Sequence, residues 1–362
     1  MKVFDLFSGC GGFRLACEKV GFNIVAFCEI DKHAVKLYKN FFTTKDEVYY
    51  NNATKIITGE LPEFDLLTAG FPCQAFSIAG KRQGFNDTRG TLFFDIIRIL
   101  KDRKPRYFLL ENVKGLFSHD NGNTFKIIIE SLAKLGNYTI EWSMLNTKYF
   151  GLPQNRERVF IVGYPRKFGV GKIFPLKTGN ANPFPTCNER GQGISTAVST
   201  KMDRTESTYI VEAGTLRTYR DSKGFMAIKD KISPCISARA REDGAGQTII
   251  AMPVLTPEKL KKRQNGRRFK ENNEPMFTIT AQDRHGIMAN IGENGEYDCK
   301  IRRLTPLECF RLQGFPDEIV QTAYGIGIPD TQLYKMAGNS VSVPVVYEIV
   351  KKIKNLNKEN NL

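Results

Sequence analysis

The sequence lacks long apolar runs and has few histidines. No apolar run reaches the roughly 20 residues that a membrane-spanning helix needs. The first seven residues enter a strand pattern directly instead of a signal peptide, so we expect an intracellular, cytoplasmic protein. There are only three histidines, and the eight cysteines show no CxxC or other metal-ligand spacing. We therefore expect reduced thiols, no bound metal and no membrane contact.

Positive charge, by contrast, is abundant. The chain has 53 lysines and arginines against 38 acidic residues, which gives a formal net charge of +15. Such an excess favours a polyanionic partner, most simply nucleic acid, although a generally basic surface would give the same number. At 362 residues the chain is long enough for one large domain and a second, smaller one.

A glycine turn near the start predicts a nucleotide-type cofactor. Residues 3–7 form a strand pattern, Ser8-Gly9-Cys10-Gly11-Gly12 a turn, and residues 13–20 a helix. A second strand at 24–28 ends beside Glu29, an acid at the distance typical of ribose binding. The turn is not GxGxxG, so a dinucleotide fits poorly. S-adenosylmethionine, an adenosyl ligand without a pyrophosphate, fits better than NAD.

Two segments remain open to two interpretations each. Asn51-Asn52-Ala53-Thr54 lies where a third strand should end, and its side chains would either meet the adenine edge or form an ordinary loop. Residues 78–90 hold three glycines and several basic side chains. They would form either a loop that closes over a polyanion or a solvated surface loop.

The stretch Gly70-Phe71-Pro72-Cys73-Gln74 predicts a nucleophile. A strand pattern at 64–69 leads into it, and Pro72 ends the strand because it has no backbone N–H. Cys73 then lies just past the carboxyl end of a strand, where open α/β sheets bind ligands. A thiol there suits covalent catalysis. A buried structural cysteine is the alternative interpretation.

Glu111 follows the next strand pattern, at 106–110, so a thiol and a carboxyl group share one sheet edge. Substitution at a pyrimidine ring needs both groups. A thiolate that adds to cytosine C6 makes C5 nucleophilic, and a carboxylic acid at N3 stabilises the negative charge that develops. A carboxylate at the start of a helix is the alternative interpretation for Glu111.

Gln154-Asn155-Arg156-Glu157-Arg158 precedes a strand pattern at 159–163. Strand alternation would direct Gln154, Arg156 and Arg158 to one side. An arginine there would hold the ring O2 and a phosphate. Structural ion pairs, for example with Glu157, are the alternative interpretation.

With these motifs together, the chain resembles the DNA (cytosine-5)-methyltransferases of the bacterial modification type. Seven blocks carry the resemblance in the order that the family has them. They are Asp5-Leu6-Phe7-Ser8-Gly9-Cys10-Gly11-Gly12-Phe13, Glu29-Ile30-Asp31, Gly70-Phe71-Pro72-Cys73-Gln74, Glu111-Asn112-Val113, Gln154-Asn155-Arg156-Glu157-Arg158, the stretch from Arg303 to Pro316, and Gly338-Asn339-Ser340-Val341.

The resemblance implies an α/β fold, with a Rossmann-like S-adenosylmethionine-dependent methyltransferase sheet and a smaller, mostly β target-recognition domain. The catalytic domain would be discontinuous, at 1–172 and 333–362. Target recognition would occupy 173–300 and a connector 301–332. The partner would be double-stranded DNA, a cognate restriction endonuclease would act separately, and the enzyme would be a bacterial or phage-encoded monomer.

The resemblance also assigns roles to residues. Cys73 would attack C6, Glu111 would engage N3 and the exocyclic amine, and Arg158 would contact O2 with Arg156 close by. The family often has Asp where this chain has Asn52, whose carbonyl would still accept a hydrogen bond from the adenine amine. The residues expected to line the S-adenosylmethionine pocket are Phe7, Gly9, Gly11, Phe13, Glu29, Ile30, Asn52, Pro72, Leu92, Asn339 and Val341.

The middle of the chain, about 171–298, alternates apolar residues with Ser and Thr and carries arginine before glycine loops. This pattern predicts short strands that present polar loops to base edges. A Lys/Arg cluster between 259 and 270 would meet phosphates or form a solvated helix face. The predicted DNA contacts are Gln74, Ser77, Arg89, Arg239, Arg241, Gln282 and Arg284.

Three other functions remain open. A cytosine-5 methyltransferase of RNA, such as tRNA, would share the catalytic blocks, although the long basic middle region favours DNA. An amino-methylating DNA enzyme needs no thiol, so Cys73 argues against it. A non-catalytic DNA-binding regulator is disfavoured because Cys73, Glu111 and Arg158 are all present.

Overall fold

The computed structural model describes residues 1–72, 92–176, 270, 274–280, 285–290 and 299–360, and the short strands at 214–216, 225–227, 247–249 and 251–255. Eight of the predicted site residues lie outside this described part. They are Cys73, Gln74, Ser77, Arg89, Arg239, Arg241, Gln282 and Arg284.

The chain divides into two compact units. Unit 1 comprises Met1–Asn146, Glu157–Lys177 and Glu318–Leu362, and unit 2 comprises Thr147–Arg156 and Thr178–Asp317. Unit 1 is therefore assembled from three separate stretches of chain. The assignment of target recognition to the middle of the chain stays a prediction.

Unit 1 is built on a seven-stranded sheet with the order β3-β2-β1-β4-β5-β7-β6. Its strands are β1 (Lys2–Leu6), β2 (Asn23–Cys28), β3 (Val48–Tyr50), β4 (Leu66–Gly70), β5 (Tyr107–Val113), β6 (Tyr138–Asn146) and β7 (Glu157–Pro165). Strands β1 to β5 are parallel, and β7 runs antiparallel to both of its neighbours. The strand order reverses between β1 and β4, which is where ligands bind in sheets of this kind.

Helices cover both faces of the sheet. In unit 1 they are α1 (Gly12–Lys19), α2 (Lys32–Phe41), α3 (Leu92–Arg103), α4 (Asn123–Ala133), α6 (Asp317–Gly325, from Glu318 onward), α7 (Asp330–Asn339) and α8 (Val343–Glu359). Alternate strand residues face opposite sides: Phe108 packs into the main apolar cluster, which includes Ile96 of α3 and Ile128 of α4. Its neighbour Tyr107 points to the opposite face, where its hydroxyl donates a hydrogen bond to Oδ1 of Asn357 in α8.

Glu141 of β6 anchors the segment that follows β7. Its carboxylate accepts hydrogen bonds from the backbone N–H groups of Lys172, Ile173 and Phe174, at 2.8, 3.1 and 2.9 Å, and from the Tyr164 hydroxyl. Burial alone would raise the pKa of this carboxyl, but the four donors outweigh it and lower the pKa. The last described residues before the middle region are therefore fixed to the sheet.

The described part of unit 2 consists mainly of short antiparallel strands. They form two three-stranded sheets, one of β8 (Gly214–Leu216), β9 (Phe225–Ala227) and β10 (Gln247–Ile249), and one of β11 (Ala251–Leu255), β12 (His285–Asn290) and β13 (Cys299–Arg303). The helix α5 (Pro306–Arg311) follows. Thr305 caps α5 in a reciprocal arrangement with Glu308, as the Thr-Pro-Leu-Glu pattern predicts.

Two local predictions were wrong. Strand β7 begins only at Glu157, so Gln154, Arg156 and Arg158 do not lie along one strand. Gln154 instead forms an isolated bridge with Met276, because residues 154–156 pair with the segment at 276–279. The Gly338-Asn339-Ser340-Val341 motif predicts that the last helix opens at this block, whereas the helix begins at Val343, since α7 continues through Asn339.

Candidate active site at the carboxyl edge of the sheet

The turn between β1 and α1 adopts a conformation that depends on glycine. Phe7, Gly9 and Gly11 all have positive φ, of 58°, 54° and 90°. A Cβ atom on Gly11 would lie 2.4 Å from Cε2 of Phe42, so no larger residue fits there. A Cβ atom on Gly9 would meet no heavy atom of the described residues within 4 Å, so this part of the chain leaves open space beside Gly9. The turn is thus packed firmly on one side and open on the other.

Glu29, just past β2, faces this turn. Its Oε2 accepts a hydrogen bond from the Gly9 N–H at 2.8 Å, and its Oε1 accepts from the N–H groups of Ile30 and Asp31, each at 2.8 Å. A carboxylate has about four lone-pair positions, so one remains for a ligand. The side chain of Ile30 is 74% exposed beside it and offers an apolar surface. The predicted cofactor residues Phe7, Gly9, Glu29 and Ile30 therefore lie together.

Asn52 lies two residues past β3, the strand next to β2. Its Oδ1 accepts hydrogen bonds from both the backbone N–H and the hydroxyl of Thr54, at 3.0 and 2.9 Å. The expected role of Asn52 as acceptor for an adenine amine does not match this geometry, because both lone pairs of the carbonyl oxygen are already engaged.

Arg98 of α3 holds the turn that Asn52 caps. Its guanidinium donates to the carbonyl oxygens of Ile56 and Ala53, at 2.6 and 3.0 Å, and pairs with Asp95 on its own helix. Sequence reasoning missed this residue. The only local signal is the spacing of three between Asp95 and Arg98, which does not indicate that the arginine bonds to a turn 42 residues earlier.

Gly70, the last residue of β4, brings several predicted residues together. A Cβ atom built on it would lie 3.5 Å from Phe13, 3.6 Å from Oε2 of Glu111 and 3.9 Å from Val341. Phe13, Glu111 and Val341 therefore surround one short stretch of backbone, two residues before Pro72. Asn339, at the end of α7, is exposed, and Leu92, at the start of α3, packs against the main apolar cluster.

Glu111 forms a nearly buried ion pair with Arg158. Nε of Arg158 lies 3.1 Å from Oε1 of Glu111, and both side chains are less than 15% exposed. The register of the sheet explains the pair. Arg158 of β7 lies opposite Val113 of β5, and Glu111 lies two residues from Val113, on the same face of β5. Burial lowers the pKa of the Arg158 guanidinium, while the Glu111 carboxylate opposes that shift. A charged pair is thus held at the sheet edge, beside Gly70.

Asn112 connects β5 to the stretch that precedes Cys73. Its Nδ2 donates to the carbonyl oxygen of Phe71 at 2.9 Å, and its Oδ1 accepts from the Val113 N–H at 2.8 Å. Asn112 is buried, so these bonds fix the backbone directly before Pro72 relative to Glu111. The residue belongs to the Glu111-Asn112-Val113 block, yet sequence reasoning gave it no role.

The described cysteine side chains are unsuited to nucleophilic attack. Cys10, Cys17, Cys28 and Cys309 are all buried. Burial raises the pKa of Cys10, Cys28 and Cys309 to about 12 and that of Cys17 well above its ordinary value. Each therefore stays a thiol at neutral pH, whereas a nucleophile must be a thiolate.

Arg156 belongs to unit 2 and is 2% exposed. Its Nη1 donates to the carbonyl oxygen of Ile279 at 2.7 Å. Gln154 is fully buried in the same unit, where its side chain bonds Leu312 and Ile279. Both side chains thus connect segments of unit 2 that are more than 120 residues apart in sequence. A catalytic role for Arg156 stays a prediction.

Comparison with known proteins decides the family. The profile described as C-5 cytosine-specific DNA methylase matches residues 1–355. The chain belongs to this family. It is therefore an enzyme that transfers methyl groups to C5 of cytosine in DNA, and the prediction of a DNA (cytosine-5)-methyltransferase is confirmed.

Relatives match over nearly the whole chain. The orphan methyltransferase M.SPRI of Bacillus phage SPR is 36% identical over 99% of this chain and 99% of its own length. The type II methyltransferase M.NgoBI of Neisseria gonorrhoeae is 38% identical over 97% of this chain and 92% of its own length. M.HaeII of Haemophilus aegyptius, also a type II methyltransferase, is 38% identical over 96% and 91%.

Solved structures agree on the fold. The Dnmt2 methyltransferase of S. pombe superposes with a TM-score of 0.55 at 17% identity, over 99% of both chains. The methyltransferase EhMeth of Entamoeba histolytica gives 0.52 at 20% identity, over 98% of both chains. At these identities the likeness concerns the fold alone, and it confirms the predicted α/β class. Among the described residues, no helix has the length and apolarity required to cross a membrane.

Proposed function

We propose that the chain methylates a specific cytosine in duplex DNA through a covalent bond between Cys73 and C6, with S-adenosylmethionine as methyl donor. The observation that carries the proposal is the buried Glu111–Arg158 pair beside Gly70, three residues before Cys73 in the sequence. A carboxyl group and a cation held together at that edge suit a ring on which negative charge develops.

The residues around the β1–α1 turn fit an adenosyl ligand. Glu29 retains one lone pair for a ribose hydroxyl, and Ile30 offers an apolar surface to a base. Ser8 is buried, and its hydroxyl has no hydrogen-bond partner within the described part of the chain, so a polar ligand atom would satisfy it. S-adenosylmethionine would supply an electrophilic methyl group there. Phe13 and Val341, beside Gly70, would separate that ligand from Glu111.

Glu111 and Arg158 would act on the cytosine ring. When the thiolate of Cys73 adds to C6, electron density moves toward N3 and O2. In its protonated, carboxylic acid form Glu111 would donate a hydrogen bond to N3 and accept one from the exocyclic amine, while Arg158 would donate to O2. C5 then becomes nucleophilic and takes the methyl group. Loss of the C5 proton and cleavage of the Cys73–C6 bond restore the aromatic ring and the thiolate.

The target cytosine would leave the helix for this chemistry. Within a duplex, neighbouring bases stack over C5 and C6, so the enzyme would rotate the nucleotide into its site. Loops of the middle region would select the sequence around it. Because M.NgoBI and M.HaeII are type II methyltransferases, we propose that methylation protects a recognition sequence from a separate endonuclease.

A mechanism-based trap tests the proposal. The protein is incubated with tritiated S-adenosylmethionine and duplex DNA in which 5-fluorocytosine replaces cytosine. Fluorine cannot leave C5 as a proton, so a covalent adduct should accumulate. We expect the adduct with the natural chain and with a Cys187→Ser control, and none with Cys73→Ser. Methyl transfer to ordinary DNA without any adduct would overturn the covalent mechanism.

The same assay identifies the substrate and the role. Sequencing the trapped DNA gives the target site, and plasmids methylated by the enzyme should then resist endonucleases that recognise that site. Competition between duplex DNA and tRNA tests the alternative substrate. Preferential methylation of tRNA would replace the DNA assignment.

A further inference from the structure

The carbonyl oxygen of the Asn52 side chain is already engaged by Thr54, which leaves the N–H edge of its amide for a ligand. We infer that Asn52 recognises the base of the adenosyl ligand through its Nδ2–H, as a donor to a ring nitrogen, and not through its carbonyl oxygen. The inference rests on the proposed use of S-adenosylmethionine. It concerns which atoms of the ligand this residue selects.

The orientation of the Asn52 amide follows from its local bonds. The backbone N–H of Thr54 can only donate, so the atom 3.0 Å from it must be the amide oxygen. The Thr54 hydroxyl lies 2.9 Å from the same oxygen. Rotating the amide by 180° would place Nδ2 against the Thr54 N–H and would break the cap of the turn at Ala53–Lys55.

The turn itself cannot easily rearrange to release that oxygen. Arg98 binds the carbonyl oxygens of Ala53 and Ile56, and Asp95 holds the guanidinium in place. The backbone N–H of Lys55 also donates to the backbone carbonyl oxygen of Asn52, at 3.1 Å. Both ends of the turn are therefore fixed, and the Asn52 side chain keeps the orientation that its cap requires.

The free edge of the amide points to ring-nitrogen recognition. Within the described part of the chain, Nδ2 of Asn52 has no hydrogen-bond partner, and the residue is partly exposed. The neighbouring strands tie this turn to the ribose side of the site, since the Tyr49 hydroxyl donates to the Glu29 carbonyl oxygen at 3.1 Å. An N–H donor there pairs with N1, N3 or N7 of adenine, whereas the exocyclic amine is itself a donor and would repel it.

Binding of cofactor analogues tests this without any turnover. The reference ligand is S-adenosylhomocysteine. One analogue lacks the exocyclic amine, and three others replace N1, N3 or N7 with C–H. Dissociation constants are measured by calorimetry for the natural chain, Asn52→Ser and Asn52→Asp. Serine keeps the cap, because its hydroxyl also accepts from the Thr54 N–H, but it removes the amide.

We expect Asn52 to be coupled to one ring nitrogen and not to the amine. Removing the amine should change the affinity of the natural chain and of Asn52→Ser by the same factor. Replacing one ring nitrogen should weaken the natural chain about fivefold more than Asn52→Ser, as for one ordinary hydrogen bond. Asn52→Asp, which offers only acceptors, should become sensitive to loss of the amine.

Two results would overturn the inference. The first is a severalfold greater effect of amine removal on the natural chain than on Asn52→Ser, because that would make the Asn52 oxygen the contact. The second is an equal response of the two proteins to all four analogues, because Asn52 would then not contact the base. If no protein binds S-adenosylhomocysteine at all, the proposed cofactor is wrong as well, so the two failures are distinguishable.

Discussion

Arg158 is the residue whose loss should affect the chemistry most directly among the described ones. Replacing it with methionine removes the cation 3.1 Å from the buried Glu111 carboxylate and the predicted donor to the ring O2. We expect kcat/KM to fall by about 100-fold or more, as for removal of one preorganised charge-stabilising donor. Arg158→Lys should recover only part of this loss, because an ammonium group lacks the planar fork of a guanidinium.

A neighbouring ion pair provides the control for that experiment. Lys114 pairs with Glu157 at 2.8 Å, one residue before Arg158, but the lysine side chain is 58% exposed. Exposed pairs contribute little, so Lys114→Met should leave kcat/KM nearly unchanged. Equal losses for Arg158→Met and Lys114→Met would show that charge near β7, and not the pair with Glu111, determines the rate.

Asp5 should make stability depend on pH in an unusual direction for a carboxyl group. It is fully buried in β1, and burial raises its pKa from 3.8 to about 7, although the Thr68 hydroxyl donates to its Oδ1 at 2.8 Å. Between about pH 4 and pH 7 the folded chain therefore keeps a proton that the unfolded chain has released. By linkage, the contribution of Asp5 to the free energy of unfolding falls as pH rises through this window.

Asp5→Asn removes this dependence, since asparagine stays neutral. Compared with the natural chain, the variant should gain stability as the pH rises from about 4 to about 7, by about 1.4 kcal/mol for each pH unit within that window. Urea denaturation at several pH values measures the gap. The exposed Asp102→Asn variant is the control, and a gap that stays constant from pH 5 to pH 8 would contradict the assigned shift.

At the scale of secondary-structure elements, close packing inside the sheet should limit substitution at Gly163. Gly163 of β7 lies opposite Phe108 of β5, and a Cβ atom on Gly163 would lie 2.0 Å from the Phe108 ring. Phe108 is fully buried, so its ring cannot move outward. Gly163→Ala should lower the free energy of unfolding by roughly 1–3 kcal/mol or more, as overpacking does.

Two variants test the reason given for that loss. Gly59→Ala adds the same methyl group where none of the residues that the structure describes has a heavy atom within 4 Å, and it should change stability by less than about 0.5 kcal/mol. Combining Gly163→Ala with Phe108→Leu should restore part of the loss, because the shorter side chain leaves room. A double variant less stable than the sum of the single effects would rule out the clash as the cause.

The same scale explains which elements could be predicted from sequence. The sequence pattern after Asp31 predicts a helix over about 32–41, and the structure gives α2 at Lys32–Phe41, because Asp31 caps it and its periodicity is local. The Thr305–Glu308 cap was predicted for the same reason. The prediction that a strand includes Gln154 was wrong, because Gln154 forms a bridge with Met276 and its side chain donates to the carbonyl oxygen of Leu312, 158 residues away. No local pattern encodes such a partner.

The candidate site shows the same division between local and distant determinants. Glu29 follows β2 at the carboxyl edge of the sheet, as the sequence spacing predicts. Glu111 was expected to follow its strand as well, but it lies within β5, opposite Gly70 at the end of β4. Sequence spacing missed Arg98, which bonds a turn 42 residues earlier. The side-chain oxygen of Asn52, predicted to accept from adenine, accepts from Thr54 instead. Residue types predicted which side chains would line a ligand site, whereas the direction of each hydrogen bond required coordinates.

For the whole molecule, the excess of positive charge bears on the affinity for DNA. If lysines and arginines neutralise phosphates, the logarithm of the association constant falls linearly with the logarithm of salt concentration, by about 0.9 for each phosphate contacted. A net charge of +15 alone does not say which residues make those contacts. The predicted cluster between 259 and 270 lies, except for Lys270, outside the described residues, so a functional measurement has to locate the contacts.

Matched neutralisation separates local contacts from total charge. One variant replaces Lys259, Lys261 and Lys262 with alanine, and the other replaces three lysines of the C-terminal helix α8, Lys351, Lys352 and Lys358. Both remove three charges. If the cluster meets phosphates, only the first variant should reduce the salt slope, by about 2–3, and it should do so equally for target and non-target DNA. Equal slopes in both variants would assign the effect to net charge, and a loss confined to target DNA would mean that the cluster reads bases.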